Sequence, residues 1–202
     1  MGVLRVVAGR WRGRHLSAGP QRGQTAIRPT ADRVRTSLFD RLTPVLDGAR
    51  VLDLCAGTGA LGIEALSRGA AHVTFVDRSA SAIRLLEGNL ESLAIRGTGE
   101  ATVRRDEAVH AVAALSRLGE RFDLVLADPP YAGEVPSAVV LAVDDNPILA
   151  DDGWFLLEHD RRIVLPKVLR TIEPFDQRLY GDTCLTFYRE TRDDNGPLSG
   201  DL

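Results

Sequence analysis

The chain has 202 residues, enough for one domain with at most a small appendage, and its 44% hydrophobic and 26% charged residues are those of an ordinary globular protein. No apolar run approaches the roughly 18 residues of a membrane span, and an arginine-rich start without an apolar core excludes a secretory signal. Cys55 and Cys184, the two cysteines, make neither a disulfide framework nor a metal site, so no metal is expected and a reducing, cytoplasmic location is.

The net charge of −3 is unevenly spread. Residues 1–41 hold nine arginines against Asp32 and Asp40, a local charge of +7, so the remaining residues carry −10. Lys167 is the only lysine in the chain. Planar, bidentate guanidinium groups around Trp11 suit phosphates and base edges, and such an arm on an acidic body is the footprint of a nucleic-acid contact. Val3 to Ala8 and Arg14 to Leu16 flank the turn residues Gly9 to Gly13 and predict a small β-hairpin. Ser17 to Ala26 reads as a mobile loop. A helix follows, with Thr30 as its N-cap, Val34, Leu38 and Leu42 on one face, and Pro44 as its stop. Residues 1–46 are thus expected to form a basic extension.

From Arg50 the pattern becomes strand, glycine turn, helix, repeated. Strands are expected at 51–54, 72–76, 101–103 and 122–127, with helices at 60–68, 79–93 and 107–118. A helix from about Pro136 to Leu149, a strand at 154–158, a short helix near 166–170 and a hairpin of 177–180 with 185–189 complete the series. Strands alternating with helices predict a doubly wound, mainly parallel sheet over residues 47–190, with a C-terminal antiparallel hairpin. The polar tail from 191 is predicted to be disordered.

Two stretches carry chemistry. The first, Asp53-Leu54-Cys55-Ala56-Gly57-Thr58-Gly59, turns from the first strand into the first helix and continues to Gly62. Its glycine spacing, with Asp77 ending the next strand, also fits a dinucleotide fingerprint. Asp53 argues otherwise: a carboxylate there would face an ammonium and repel a pyrophosphate. S-adenosylmethionine, which is cationic and lacks phosphate, suits Asp53, Asp77 and Asp106, three acids at successive strand ends on the edge where such sheets bind ligands. The second stretch, Asp128-Pro129-Pro130-Tyr131, stops the fourth strand abruptly. It offers a carboxylate, free carbonyls and a ring, which is what a nucleobase amine and its π-face need. The plain alternative is a stiff surface turn with a buried Tyr.

These residues resemble the Rossmann-like S-adenosylmethionine-dependent methyltransferases, whose fold has a seven-stranded sheet. D-P-P-Y is similar to the [DNS]-P-P-[YFW] motif of enzymes that methylate exocyclic or planar-system nitrogens. Arg5 to Arg14, Arg28 to Arg35 and Ala60 to Ala70 resemble the bacterial small-subunit (16S) rRNA guanine-N2 methyltransferases of the RsmD family. The closing aromatic, often Phe in that family, is Tyr here. The resemblance implies cofactor contacts from Asp53, Ala56, Gly57, Gly59, Asp77, Arg78, Asp106 and Glu107, with Asp77 on the ribose and Asp106 near the adenine. It implies chemistry at Asp128, Pro129, Pro130 and Tyr131, and rRNA contacts from Arg10, Trp11, Arg12, Arg14, Arg28, Thr30 and Arg33. The expected substrate is rRNA within an assembled or assembling small subunit, and a monomer is expected. A DNA adenine-N6 or cytosine-N4 methyltransferase shares the tetrapeptide but needs a sequence-reading domain for which there is no room. An idle RNA-binding module would not need Asp53, Asp128, Pro129 and Tyr131. A nicotinamide-dependent oxidoreductase leaves the arginine arm unexplained.

Overall fold

A computed structural model describes residues 4–19, 29–95, 97–130 and 133–191. Arg28 and Tyr131 fall outside these, as do the tail beyond Thr191, most of the loop expected before Pro29 and the side chains of residues 29–33.

The strands are β1 (Arg50–Leu54), β2 (His72–Asp77), β3 (Ala101–Arg105), β4 (Phe122–Ala127), β5 (Leu149–Asp160), β6 (Ile172–Tyr180) and β7 (Thr183–Glu190). They form one sheet in the order β3-β2-β1-β4-β5-β7-β6. The first five pair in parallel, and β7 runs antiparallel to both β5 and β6. This is the expected topology. Strand alternation divides the apolar side chains between two faces. Val51, Leu124, Leu126 and Leu156 point into a core shared with α1 (Pro29–Leu42), α2 (Ala60–Ser67) and α3 (Ala80–Ser92). Leu52, Leu54, Val125, Ala127 and Leu157 point into a second core covered by α4 (Ala108–Arg117) and α5 (Val135–Asp145). Among the described residues no helix is long and apolar enough to cross a membrane.

Four local expectations need correction. Helix α1 begins at Pro29, so Thr30 lies in its first turn and is not its N-cap; proline suits that first position because its missing N–H would be unpaired there. Helix α5 ends at Asp145, not Leu149; Pro147 follows and Leu149 opens β5. The segment 166–170 is not helical. The buried Asp144 holds the chain there instead: its carboxylate accepts from the backbone N–H groups of Arg170, Thr171 and Ile172 at 2.8–3.2 Å. The N-terminal hairpin shrinks to one antiparallel bridge, Arg5 with His15, closed by Val6 N–H to the Arg14 carbonyl and Gly13 N–H to the Val6 carbonyl.

The arm is latched to the body by buried polar groups. Glu64 on α2, fully buried, accepts from the N–H of Val7 (2.7 Å) and Ala8 (3.0 Å) and from Arg68 Nε (2.8 Å). The Ser67 carbonyl accepts from Arg10 N–H, and its hydroxyl accepts from Trp11 N–H while donating to the Ala8 carbonyl. Asn89 on α3 accepts from Ser17 N–H and donates to the carbonyls of Ser17 and Thr58, joining arm to glycine loop. Gly9 lies at the closest approach, with φ +77°. A Cβ on it would stand 1.7 Å from the Ser67 carbonyl oxygen. Gly9→Ala therefore meets both a left-handed backbone, costing about 1–2 kcal/mol, and a backbone clash. The variant should melt several degrees lower, and trypsin should cut its arm arginines faster than those of the parent.

Candidate functional site

The sheet sets its acids at one edge because β1, β2, β3 and β4 run parallel and end together. Beyond β1 the chain takes a left-handed step at Cys55 (φ 61°), then Gly57 and Gly59, before α2 begins. Asp77, the last residue of β2, holds that loop: its Oδ2 accepts from Gly57 N–H (2.9 Å) and its Oδ1 from Ser79 N–H (2.8 Å). Its own carbonyl accepts from Asp106 N–H after β3 (3.2 Å). Asp106 in turn accepts from Glu107 N–H, and Glu107 faces Arg78 at 3.6 Å.

A cavity of about 640 Å³ opens on this edge. The loops after β1 and β2 give it Cys55, Asp77 and Arg78, and the start of α4 gives it Asp106, Glu107, Ala108 and Val109. Asp128, Pro129 and Pro130 after β4, with Glu134, Val135 and Ala138 at the start of α5, close the other side. Seven residues expected from the sequence thus converge: Asp77, Arg78, Asp106, Glu107, Asp128, Pro129 and Pro130. The apolar wall was not read from the sequence. Its signal was a pair of apolar helix starts on the binding edge, Ala108-Val109 shortly after β3 and Val135 eight residues after β4.

Asp53 departs from expectation. It does not line the cavity; it is 1% exposed beneath the loop, and its Oδ2 accepts from Gly62 N–H at 2.9 Å. Burial, with Asp77 nearby, pushes its pKa up from 3.8 to about 7 against the lowering effect of the Gly62 bond. It braces the turn into α2. The glycines also divide by task. Cβ atoms at Gly59 and Gly62 would strike Leu86 and Phe75 at 2.2 and 2.3 Å, so packing demands those two. At Gly57 a Cβ would meet nothing closer than 3.9 Å, leaving an open approach to the loop backbone.

Asp128 presents surface to the cavity, yet the protein packed round its carboxyl, with Glu158 and Asp53 close by, raises its pKa well above the ordinary range. The Cys55 thiol is pushed up to about 12 by burial and then by Asp77, Asp53 and Asp128, which rules it out as a thiolate nucleophile at neutral pH. In the arm, Trp11 is 7% exposed within the core of α1–α3, and the Arg10 guanidinium covers its ring at 4.5 Å. Trp11 is an anchor, not a displayed stacking surface. Arg12 is exposed, Arg10 bonds Glu100 at 2.8 Å and Arg14 bonds the Ser92 carbonyl. Only the backbone of Thr30 and Arg33 is described, and Arg28 lies outside.

The donor set fits S-adenosylmethionine. Carboxylates at Asp77, Asp106 and Glu107 suit ribose hydroxyls and a cation, and the apolar starts of α4 and α5 suit a flat heterocycle. A pyrophosphate would meet the acids Asp77, Asp106, Glu107, Asp128 and Glu134 and a single arginine, itself paired with Glu107.

Comparisons agree with this geometry. The family model described as Conserved hypothetical protein 95 matches residues 4–189. The Bacillus subtilis protein YlbH is 38% identical over 187 residues, covering 93% of this chain and 99% of that one. Ribosomal RNA small subunit methyltransferase D of Escherichia coli K12 is 34% identical over 188 residues, covering 93% and 90%. The solved Escherichia coli structure of yhhF superposes with a TM-score of 0.77 at 30% identity, covering 94% of this chain and 98% of that one.

Asp53 gives the site a pH signature. Its folded pKa lies above its unfolded one, so the fold retains a proton that the unfolded chain loses above about pH 4. The stabilising contribution is full below that pH and is lost as pH rises toward 7, on the order of 4 kcal/mol in all. Asp53→Asn keeps an acceptor for Gly62 without the charge. Urea unfolding should show it more stable than the parent at pH 8, with the gap closing toward pH 4.

Proposed function

The chain belongs to the Conserved hypothetical protein 95 family, the RsmD-type methyltransferases, and on that premise we propose that it transfers a methyl group from S-adenosylmethionine to the exocyclic N2 of a guanine in small-subunit rRNA. The observation that carries the reading is the convergence of Asp128 and its two prolines with the acids Asp77 and Asp106 on one cavity. When bound, S-adenosylmethionine supplies an electrophilic methyl on a sulfonium. Asp77, Arg78, Asp106 and Glu107 would hold it, and Gly57 would give it access to the loop backbone.

The chain's task is then to make a poor nucleophile react. A guanine 2-amine delocalises its lone pair into the ring. Asp128 and the Pro129 carbonyl accept its two N–H bonds, which favours a pyramidal nitrogen and returns the lone pair to it. Pro129 is buried and, with Pro130, fixes the carbonyl and carboxylate in place, so little reorganisation is needed during transfer. A nitrogen that takes up a methyl group must shed a proton. Asp128 receives it, and its raised pKa makes it the better acceptor. Tyr131 stacks on the base, turned out of its helix because its amine is otherwise unreachable.

The arm docks the RNA. Arg10, Arg12 and Arg14 meet phosphates from a latched, fixed surface, and Arg28, Thr30 and Arg33 add further RNA contacts in this reading. The substrate is rRNA in an assembled or assembling small subunit.

Small subunits lacking the modification, naked rRNA and duplex DNA, each offered with radiolabelled S-adenosylmethionine, test this directly. N2-methylguanosine from the subunits is the expected product; label in DNA adenine would sink the rRNA assignment. Asp128→Asn can still accept one bond but cannot take the proton, so kcat should fall about 10²-fold or more while cofactor affinity persists. Parent activity should rise with pH as the Asp128 carboxyl ionises, and that rise should be absent from the variant.

A further inference from the structure

From Arg14 onward the arm runs along α3. Arg14 donates to the Ser92 carbonyl at 2.8 Å, Ser17 meets Asn89, and a Cβ on Gly19 would stand 3.1 Å from Leu85. Leu85, Asn89 and Ser92, three and four residues apart, make one stripe on the helix. The arm therefore advances toward the N-terminus of α3, which follows β2 at the binding edge.

Asn89 is 2% exposed, and both its donors and its acceptor are engaged. Oδ1 accepts from Ser17 N–H (2.8 Å), while Nδ2 donates to the Ser17 carbonyl (3.1 Å) and the Thr58 carbonyl (2.8 Å). One N–H and two carbonyls face the side chain, so a single orientation of the amide satisfies all three. Thr58 stands between Gly57 and Gly59, whose φ values are 55° and 80°. Around it Asp77 fixes Gly57 N–H, the Ala56 carbonyl accepts from Gly59 N–H at 2.7 Å, and Leu86 of α3 packs against Gly59. The loop is thus held from the cavity side by Asp77 and from the arm side by Asn89.

A seated arm and a set loop share this one side chain. A loop displaced at Thr58 leaves a buried donor unpaired, and an arm lifted at Ser17 leaves a donor and an acceptor unpaired. Unpaired polar atoms are costly when buried, so the two contacts support each other. We propose that Asn89 is a positioning residue that couples the arm to the cofactor loop, so that a seated arm strengthens S-adenosylmethionine binding and the cofactor in turn holds the arm down. This rests on the cofactor assignment above and is independent of which base is methylated. Coupling is reciprocal: an RNA that binds only the seated arm tightens the cofactor by the factor with which the cofactor tightens the RNA.

The test uses the full chain with S-adenosylhomocysteine and reads calorimetric affinity and amide hydrogen exchange. Asn89→Leu removes the amide at similar volume, and Ser17→Pro removes one arm N–H at an exposed residue outside the cavity. Both should bind S-adenosylhomocysteine more weakly, Asn89→Leu by about tenfold or more and Ser17→Pro by about threefold or more. In the parent, saturating ligand should slow exchange in a peptide spanning residues 4–19 and leave a β6 peptide, residues 172–180, unchanged. In Asn89→Leu the arm peptide should exchange faster and no longer respond to saturating ligand. Parent affinity in Ser17→Pro would reduce Asn89 to a support of the loop alone and overturn the proposal. A parent arm peptide that ignores the ligand would overturn it too, as would equal slowing in the β6 peptide, which reports stabilisation of the whole fold. A parent that binds no S-adenosylhomocysteine would overturn the cofactor assignment itself, and the proposal with it.

Discussion

The carboxylate of Asp77 ties the binding edge together. One oxygen fixes Gly57 in the loop after β1, the other fixes Ser79 at the start of α3, and the backbone carbonyl holds Asp106 after β3. Three connections that are far apart in the chain are thereby set in one frame, and the cavity is the space they leave. A carboxylate has about four acceptor positions, so the two internal bonds leave capacity for a ligand hydroxyl. The same residue can thus shape the site and serve it. Asp53 has no such double use: buried under the loop, it is committed to Gly62.

A second buried carboxylate sets the arm. Glu64 answers two backbone N–H groups and Arg68 with no exposure to solvent, a full set of partners for an ion that would otherwise be costly to bury. The arm therefore belongs to the fold as firmly as a strand does, and Val6, Trp11 and Leu16 share the core of α1–α3. Basic segments that dock nucleic acid commonly order on contact and lose affinity to the entropy of ordering. Here a turn bounded by Gly9 and Gly13 is held before any partner arrives. Arg10 and Arg14 are held through Glu100 and the Ser92 carbonyl, while Arg12 faces outward.

What the sequence reveals and what it hides follow from the range of the forces involved. The parallel half of the sheet is legible because β1, β2 and β4 are short, mostly apolar runs and the helices between them have a 3.6 period; both signals are local. The seven converging residues, four acids, two prolines and Arg78, are legible because strand ends in such a sheet share one edge. The segment 166–170 misleads because its local preference is overruled by Asp144, more than twenty residues away. The end of α5 misleads because an apolar run around Ile148 and Leu149 reads equally as helix or strand until its partner is known. Trp11 misleads because an aromatic among arginines has the same local sequence whether it faces RNA or the core. Asp53 is the subtlest case: a cofactor acid and a loop brace differ in neither residue nor spacing, only in which way the side chain is enclosed.

The acids at the edge also oppose the fold. Asp53 and Asp128 both have raised pKa values: desolvation disfavours both charges, Asp77 adds repulsion at Asp53, and Glu158 and then Asp53 add it at Asp128. A surface evolved for stability alone would disperse these carboxyls. Arginine at the cavity is represented by Arg78, already paired with Glu107. The imbalance makes physical sense if positive charge and donors arrive with the ligands: a sulfonium and an ammonium from the cofactor, N–H donors from the base. A cation entering this field favours the ionised carboxyls, so its binding is linked to proton release and strengthens as pH rises through their raised pKa values. The electrostatic repulsion at this edge is thus the counterpart of its selectivity for a cationic cofactor and a donor-rich base.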